Sequence, residues 1–479
     1  MKVTKKQLRD GIVLLSALLL ATVVTVMSAV STKADTVWAT STRCALANAN
    51  TVTFNATYSA LPASDDGLFY LFQLMPYEYG VTATAPCLGT TPIGPNPSFS
   101  FGLYDAAGTS RICRKFVLAV KCGGAFTLVS NCQYIVNPEV AATHTRAPQN
   151  VGFVEPYEKM VLYRIGETNV GAILIDNYST AVIVNKVTPS LISPYARIRD
   201  SHPVSSKFYY MFNAATADGC NTLQNTMSAF AMNTHVDEFI IGNEVNTRLW
   251  NYTASMDWSS YIREYAQAFR VAYNSIKSVN ANAKVYISLD QMWNMDKLSD
   301  YSFIDGADFT LLFNQIIAAE GNIDWGMALH PYPYPMTYAK FWDPSGLRNG
   351  AYYQSLVAQG KVVTFQNLPV VTSFMQTPGL LSPNGQVRSI ILPEVGITSA
   401  QGVETQAAGI MACYQAARNN PLIKRIYFHR MNEGGATNFG TSGLSEAVYR
   451  AIEKGQPGEY NAWALNYIGI TDWRQVVMY

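Results

Sequence analysis

Charge is what this sequence has least of. Asp, Glu, Lys and Arg make up 14% of its 479 residues, with 34 basic residues against 33 acidic ones. An ordinary globular chain carries about a quarter. Nucleic acid and anionic membrane surfaces select a strongly positive face, so the even balance argues against both as main partners. Histidine is scarcer still, at five residues. There is no HExxH, no HxH pair and no CxxC, which excludes the common zinc frameworks. A GxSxG elbow and a phosphate-binding GxxxxGK[ST] loop are also missing, and nothing else in the chain calls for a cofactor. An uncharged polar ligand fits this composition best.

What is present begins with a basic start (Lys2, Lys5, Lys6, Arg9) and a nearly continuous apolar run, Gly11 to Val30, followed by "STKAD". That order predicts a signal peptide over residues 1–34, with Ala34 at the cleavage site. The run is longer than a usual signal core, so a retained N-terminal anchor is the other reading, and the only route to a membrane. Either way the rest of the chain is expected outside the cytoplasm, secreted or at the cell surface. Five of the seven cysteines (Cys44, Cys87, Cys113, Cys122, Cys132) fall early, while Cys220 and Cys413 stand apart. In an exported chain the early group predicts one or two disulfides and none to Cys413.

Residues 35–140 carry short alternating runs such as "TVTFNATYSA", "GLFYLFQL", "SFSFGLYD" and "KFVLAVKC", separated by Pro, Gly, Asn and Asp. Period-two alternation with frequent turns predicts an antiparallel β-sandwich. Residues 141–150 read as a linker. Beyond them the pattern changes to apolar runs alternating with helical stretches. The runs are "VGFV" (151–154), "AILIDN" (172–177), "YYMFN" (209–213), "FIIGNE" (239–244), "VYISLD" (285–290), "GMALH" (326–330), "IILPE" (390–394) and "RIYFH" (425–429). "TAVIVNK" (180–186) competes for one of the first two places. Residues 258–278 predict a helix, with apolar side chains at three- and four-residue steps. Strands apolar on both faces imply a parallel sheet, and eight of them predict a (β/α)8 TIM barrel over residues 151–479.

Seven of these runs end on a polar residue: Asn177, Asn213, Glu244, Asp290, His330, Glu394 and His429. In such a barrel the carboxyl ends of the strands share one rim, where catalytic groups sit. Polar residues also simply mark where strands stop, and for Asn177, Asn213 and Asp290 that reading is as good as the functional one. Glu244 and Glu394 are different. "GNE" and "LPEVG" frame each carboxylate with apolar, small or rigid residues, a costly setting without a partner. Two carboxyls on one rim satisfy the requirement of glycoside hydrolysis, where one protonates the leaving oxygen and the other attacks the anomeric carbon. Strands four and seven lie roughly across such a barrel, and the expected separation is that of a retaining enzyme, about 5–5.5 Å.

Asn243–Glu244 at the end of strand four, "HPYPYP" after strand six and Glu394 at the end of strand seven together resemble the clan A glycoside hydrolases. The blocks "IIGNEVN", "YISLDQMWN", "GNIDWGMALHPYPYP", "RSIILPEVGITS" and "YFHRMNE" are more similar to a family of exported bacterial barrel proteins of unassigned function. The resemblance implies Glu244 as acid/base, Glu394 as nucleophile and Asn243 bonding the sugar hydroxyl beside the anomeric carbon. It also implies that His330 or Tyr332 orients Glu394. The sequence departs from clan A at strand eight, where His429 and Arg430 stand in place of a Trp under the sugar. Strand two lacks the Arg that often supports the nucleophile, a part that Arg430 could take.

Among the rim aromatics, Trp293 of "SLDQMWN" is the expected stacking platform for a sugar. Trp258 and Trp342 read better as loop packing. A metal hydrolase would have to draw on Asp290, His330, Glu394 and His429, and five histidines leave little for it. The competing reading from another class is a carbohydrate-binding or cell-surface barrel without turnover. The retained pair of Glu argues against that reading, and the strand-eight departures argue for it. The expected partner in both is an oligo- or polysaccharide.

Overall fold

The computed structural model describes residues 37–145, 160–163, 192–195, 204–208, 214–233, 236–247, 257–295, 303–428 and 439–440, with 442, 443, 445 and 448. The expected signal segment, "VGFV", "AILIDN", "TAVIVNK" and "YYMFN" lie outside them. So do Asn213, His429 and Arg430. Among the described residues no helix is long and apolar enough to cross a membrane.

Two antiparallel sheets fill the first hundred described residues. One has the order β1 (Ser41–Asn48), β2 (Thr51–Thr57), β5 (Ser98–Gly102). The other runs β4 (Cys87–Pro92), β3 (Leu68–Leu74), β6 (Lys115–Cys122), β7 (Ala125–Leu128), with β8 (Gln133–Tyr134) also on β6. Alternation decides the faces. In β2, Val52, Phe54 and Ala56 point inward, and they share a core with Phe69, Leu71, Phe116, Leu118 and Val120 of the other sheet. Phe54 lies opposite Cys44 on one side and Phe99 on the other.

The expected disulfides are not there. All seven cysteines are unpaired. Cys44 and Cys113 serve as small apolar core residues instead, and the Cys113 Sγ lies 3.2 Å from Ser275 Oγ. Sequence spacing says how many thiols there are, but a bond needs two Cβ atoms within about 4.5 Å.

The C-terminal sheet has eight strands, in the order β10 (Ile192–Tyr195), β11 (Val204–Phe208), β12 (Val236–Ile241), β13 (Lys284–Leu289), β14 (Gly326–Leu329), β15 (Ile390–Val395), β16 (Ile423–Phe428) and β9 (Met160–Tyr163). Every pair from β11 to β9 is parallel, and β10 is antiparallel to β11. The first strand therefore pairs with the last, Met160 opposite Arg425. The pairing runs from β10 to β9, and among the described residues no bond joins these two ends. β11 is "VSSKF", a strand unmarked in the sequence reading, directly before the expected third strand at 209–213, which lies outside the described residues. Its polar centre carries no strand signal.

Helices α1 (Ala217–Asn233), α2 (Trp258–Lys277), α3 (Gly306–Ala319), α4 (Gly350–Ala358), α5 (Pro369–Phe374) and α6 (Val403–Arg418) fill the connections after β11. The expected helix over 258–278 is α2. Its first turn is capped by Asp257, whose carboxylate accepts from Ser260 N–H at 2.8 Å. Tyr261, Tyr265, Phe269 and Ile276 face the sheet core, while the same helix also meets the N-terminal sheets. There, buried Asn274 donates from Nδ2 to Ile112 O (2.8 Å) and Ile135 O (3.1 Å). Hydrophobic burial is thus continuous from the N-terminal pair of sheets to the C-terminal sheet, although no sheet takes described strands from both sides of residues 141–150.

Candidate active site

The parallel strands β12 to β15 deliver their carboxyl ends side by side, and the turn after β12 is the most constrained of them. Gly242 (φ 85°) and Glu244 (φ 47°) both have left-handed backbones, and Glu244 is the one non-glycine residue to do so among those described. A side chain in that region is strained unless its surroundings hold it, and such strain gathers at functional sites. Here β13 holds it. Glu244 N–H donates to Ser288 Oγ at 3.3 Å, and Val245 N–H donates to Ser288 O at 2.8 Å. Asn243, between the two left-handed residues, is 2% exposed.

Glu394 reaches the same region by a different device. On β15, Leu392 pairs with Ile426 and Val395 with Phe428, so three residues span the length of two on the partner strand. This is a β-bulge at Pro393–Glu394, where Pro has no N–H to lose from the ladder. Leu392 and Val395 both pack into the helix-covered core. Strict alternation would put Glu394 on the Leu392 face; the extra residue turns it to the other.

Between these strands, the end of β14 supplies a partner for each carboxylate. His330, fully buried, lies with Nδ1 3.0 Å from Glu244 Oε1. Tyr332 donates from its hydroxyl to Glu394 Oε1 at 2.9 Å. The two partners are themselves tied, Tyr332 N–H to His330 O at 3.0 Å. Two expected orienting residues for Glu394 therefore divide: Tyr332 takes Glu394, and His330 takes Glu244.

Asp290, the next strand end, forms a reciprocal pair with Asn246. Asn246 Nδ2 donates to Asp290 Oδ1 at 2.7 Å, and Asp290 N–H donates to Asn246 Oδ1 at 3.0 Å. Burial and the charge of nearby Glu244 push the Asp290 carboxyl up to about 7, against the bonds from Asn246 and Met292 N–H that favour its ionised form. No group of three or more His, Cys, Asp or Glu among the described residues is placed to hold a metal ion.

Trp293 is a correction. It is 3% exposed, with its ring edge-on to Phe374 at 5.2 Å and against Gly306, where an added Cβ would fall 2.8 Å from Trp293 Cε3. The ring is core and offers no open face. A large aromatic beside a strand end reads the same in sequence whether its ring is covered or bare.

Three residues of the site escaped sequence reading. Ser288 had a signal: it shares the β13 face of Tyr286 and Asp290, while Val285, Ile287 and Leu289 pack into the core. Asn246 stood in "GNEVN" without a reason to be singled out. Phe439, stacked on Tyr332 at 5.6 Å, gave none. Its segment is held by buried Gln406, whose Nε2 donates to Phe439 O and Gly440 O.

No curated protein sequence matches the chain. Solved structures similar to it include a family 39 glycoside hydrolase from the gut symbiont Bacteroides cellulosilyticus WH2, at 13% identity and TM-score 0.37 over 84% of this chain and 80% of that one. Another is Bacteroides uniformis β-glucuronidase 2 bound covalently to cyclophellitol-6-carboxylate aziridine, at 9% identity and TM-score 0.34, covering 88% of this chain but 50% of that one. A third is the GH53 catalytic domain from Ignisphaera aggregans, at 14% identity and TM-score 0.30, over 51% and 67%. A family model described as a family of unknown function, DUF5722, matches residues 154–476, and the chain belongs to that family.

Proposed function

We propose that this protein is a retaining glycoside hydrolase acting outside the cytoplasm on an oligo- or polysaccharide, on a closed (β/α)8 barrel. Glu394 is the nucleophile and Glu244 the acid/base. The observation that carries the reading is the pair of clamped carboxylates: Glu244 on His330 and Glu394 on Tyr332, from strand ends on either side of one β14 terminus. A glycosidase needs two carboxyls in unlike surroundings. An imidazole partner and a phenol partner make these two unlike.

In the first step Glu394 attacks the anomeric carbon while Glu244 gives its proton to the departing oxygen. A covalent glycosyl-enzyme results. In the second step Glu244 takes a proton from water, which displaces Glu394 and leaves the configuration retained. Tyr332 steadies the nucleophile's charge, and Asn243 bonds the hydroxyl beside the anomeric carbon. The required separation of the two carboxyls is about 5–5.5 Å.

Azide separates the roles on an aryl glycoside. Glu394→Gln abolishes turnover, because no covalent intermediate forms. Azide restores turnover to Glu244→Ala with a glycosyl azide of retained configuration, and gives the inverted azide with Glu394→Ala. Exchanged products would reverse the assignment. A wild type inert across a broad glycan and aryl-glycoside panel would favour a carbohydrate-binding protein without turnover. N-terminal sequencing of the exported protein tests the location, with residue 35 expected first if the leader is cleaved.

A further inference from the structure

We infer that Ser288 is a positioning residue that fixes the proton of His330 on Nδ1, so that a neutral imidazole donates to Glu244. The inference deepens the assignment of Glu244 as acid/base and uses groups for which that assignment gave no part. Ser288 Oγ lies 3.3 Å from Glu244 N and 3.4 Å from His330 Nε2, and His330 Nδ1 lies 3.0 Å from Glu244 Oε1. These contacts form a closed ring of three residues from three strand ends.

The direction of the bonds around the ring follows from one donor whose proton cannot move. A backbone N–H only donates, so at the Glu244 N contact Ser288 Oγ must be the acceptor. The single hydroxyl proton is then available to His330 Nε2, which accepts it through its lone pair. A neutral imidazole with Nε2 as acceptor carries its proton on Nδ1, and that proton points at Glu244 Oε1. In this arrangement each of the three contacts has one donor and one acceptor, with His330 neutral. The other neutral tautomer would make Ser288 accept twice, leaving its hydroxyl proton out of the ring, and would require Glu244 to donate to Nδ1. His330 is fully buried, where an unpaired polar atom is costly.

The arrangement has a consequence for Glu244. With Oε1 committed to accepting from His330, the exchangeable proton of the acid/base resides on Oε2. The same serine also holds the strained turn through its main chain, with Val245 N–H on Ser288 O. Ser288 thereby acts on Glu244 at both ends, through the backbone and through the imidazole.

The test is spectroscopic and needs no turnover. With only five histidines in the chain, 15N-histidine-labelled protein gives few long-range 1H–15N patterns, and His330→Gln identifies the one that belongs to His330. The expected wild-type pattern is a pyrrole-like, protonated Nδ1 and a pyridine-like Nε2. Ser288→Ala is expected to move His330 to the Nε2–H tautomer or to the imidazolium at the same pH, and Ser288→Thr to restore the wild-type pattern. An Nε2–H or doubly protonated His330 in the wild type overturns the inference, even if Ser288→Ala does not fold. So does a Ser288→Ala spectrum identical to wild type. If the wild type shows no glycosidase activity the tautomer result still stands, so the two readings fail separately.

Discussion

Tyr332 donates its hydroxyl to Oε1 of Glu394 at 2.9 Å, from a side chain that is 4% exposed and stacked on Phe439. The phenol has little freedom to turn away, so the bond holds the carboxylate in one orientation. A hydrogen bond to a charged group contributes about 1.5–3 kcal/mol. Tyr332→Phe keeps the ring and the stack and removes only the donor. It is expected to lower kcat/KM about 10- to 100-fold with an unchanged circular-dichroism spectrum. Undiminished activity would exclude this part for Tyr332.

Asp290 makes stability depend on pH in a direction opposite to a salt-bridged acid. Its carboxyl sits at about 7 in the folded protein, against 3.8 for the free group, chiefly through burial and then through Glu244. Between those values the folded state binds the proton and the unfolded state does not. Its contribution to stability is therefore whole below about pH 4 and is lost as the pH rises towards 7. Asp290→Asn keeps an acceptor for Asn246 and Met292 but cannot ionise. The difference in Tm between variant and wild type should grow from about pH 4 to 7 in the variant's favour. A constant difference would show that Asp290 does not titrate there.

Gly326 opens β14 beneath the ring of Tyr286. A Cβ at this position would fall 2.4 Å from Tyr286 Cδ1 and 3.0 Å from Ser389 O. The ring is 1% exposed, and its hydroxyl contacts Glu238 Oε1 and Ser389 Oγ, so it has nowhere to go. Gly326→Ala is expected to destabilise by about 1–3 kcal/mol, read as a lower denaturant midpoint. A midpoint equal to wild type would mean that Tyr286 repacks freely.

Arg425 and Glu238 form a buried ion pair at 3.0 Å, near the starts of β16 and β12 and away from the carboxyl-end rim. Removing one partner leaves the other buried and charged. Arg425→Met alone is expected to cost about 3–5 kcal/mol. The double variant with Glu238→Gln should recover much of that loss. Conservation of activity per folded molecule in the double variant would place the pair in stability alone; equal destabilisation of single and double variants would deny the coupling.

The strands that carry the site were legible because their signal is local. β12 to β16 are short runs apolar on both faces, as a sheet covered by helices requires, and the polar residues at their ends mark where the chain leaves the core. That was enough to single out Glu244, Asp290, His330 and Glu394. β11 was not read as a strand because its central residues are polar, and a strand's pairing leaves no mark on such a sequence.

Tertiary structure decided what depends on contact between distant residues. It alone set which of His330 and Tyr332 serves which carboxylate, since both lie on one loop and the choice follows from the β12–β13–β14–β15 order. A bulge at Pro393–Glu394 turned Glu394 off the core face, against the alternation that its own strand suggests. The left-handed turn at Glu244 persists because Ser288, 44 residues later, bonds across it. Trp293 is covered because Phe374 and Gly306 meet it, and none of the early thiols is bonded to another sulfur. Periodicity and turn chemistry act within a few residues and can be read along the chain. Proximity, tautomer and burial are properties of pairs, and those exist only once the strands have been set side by side.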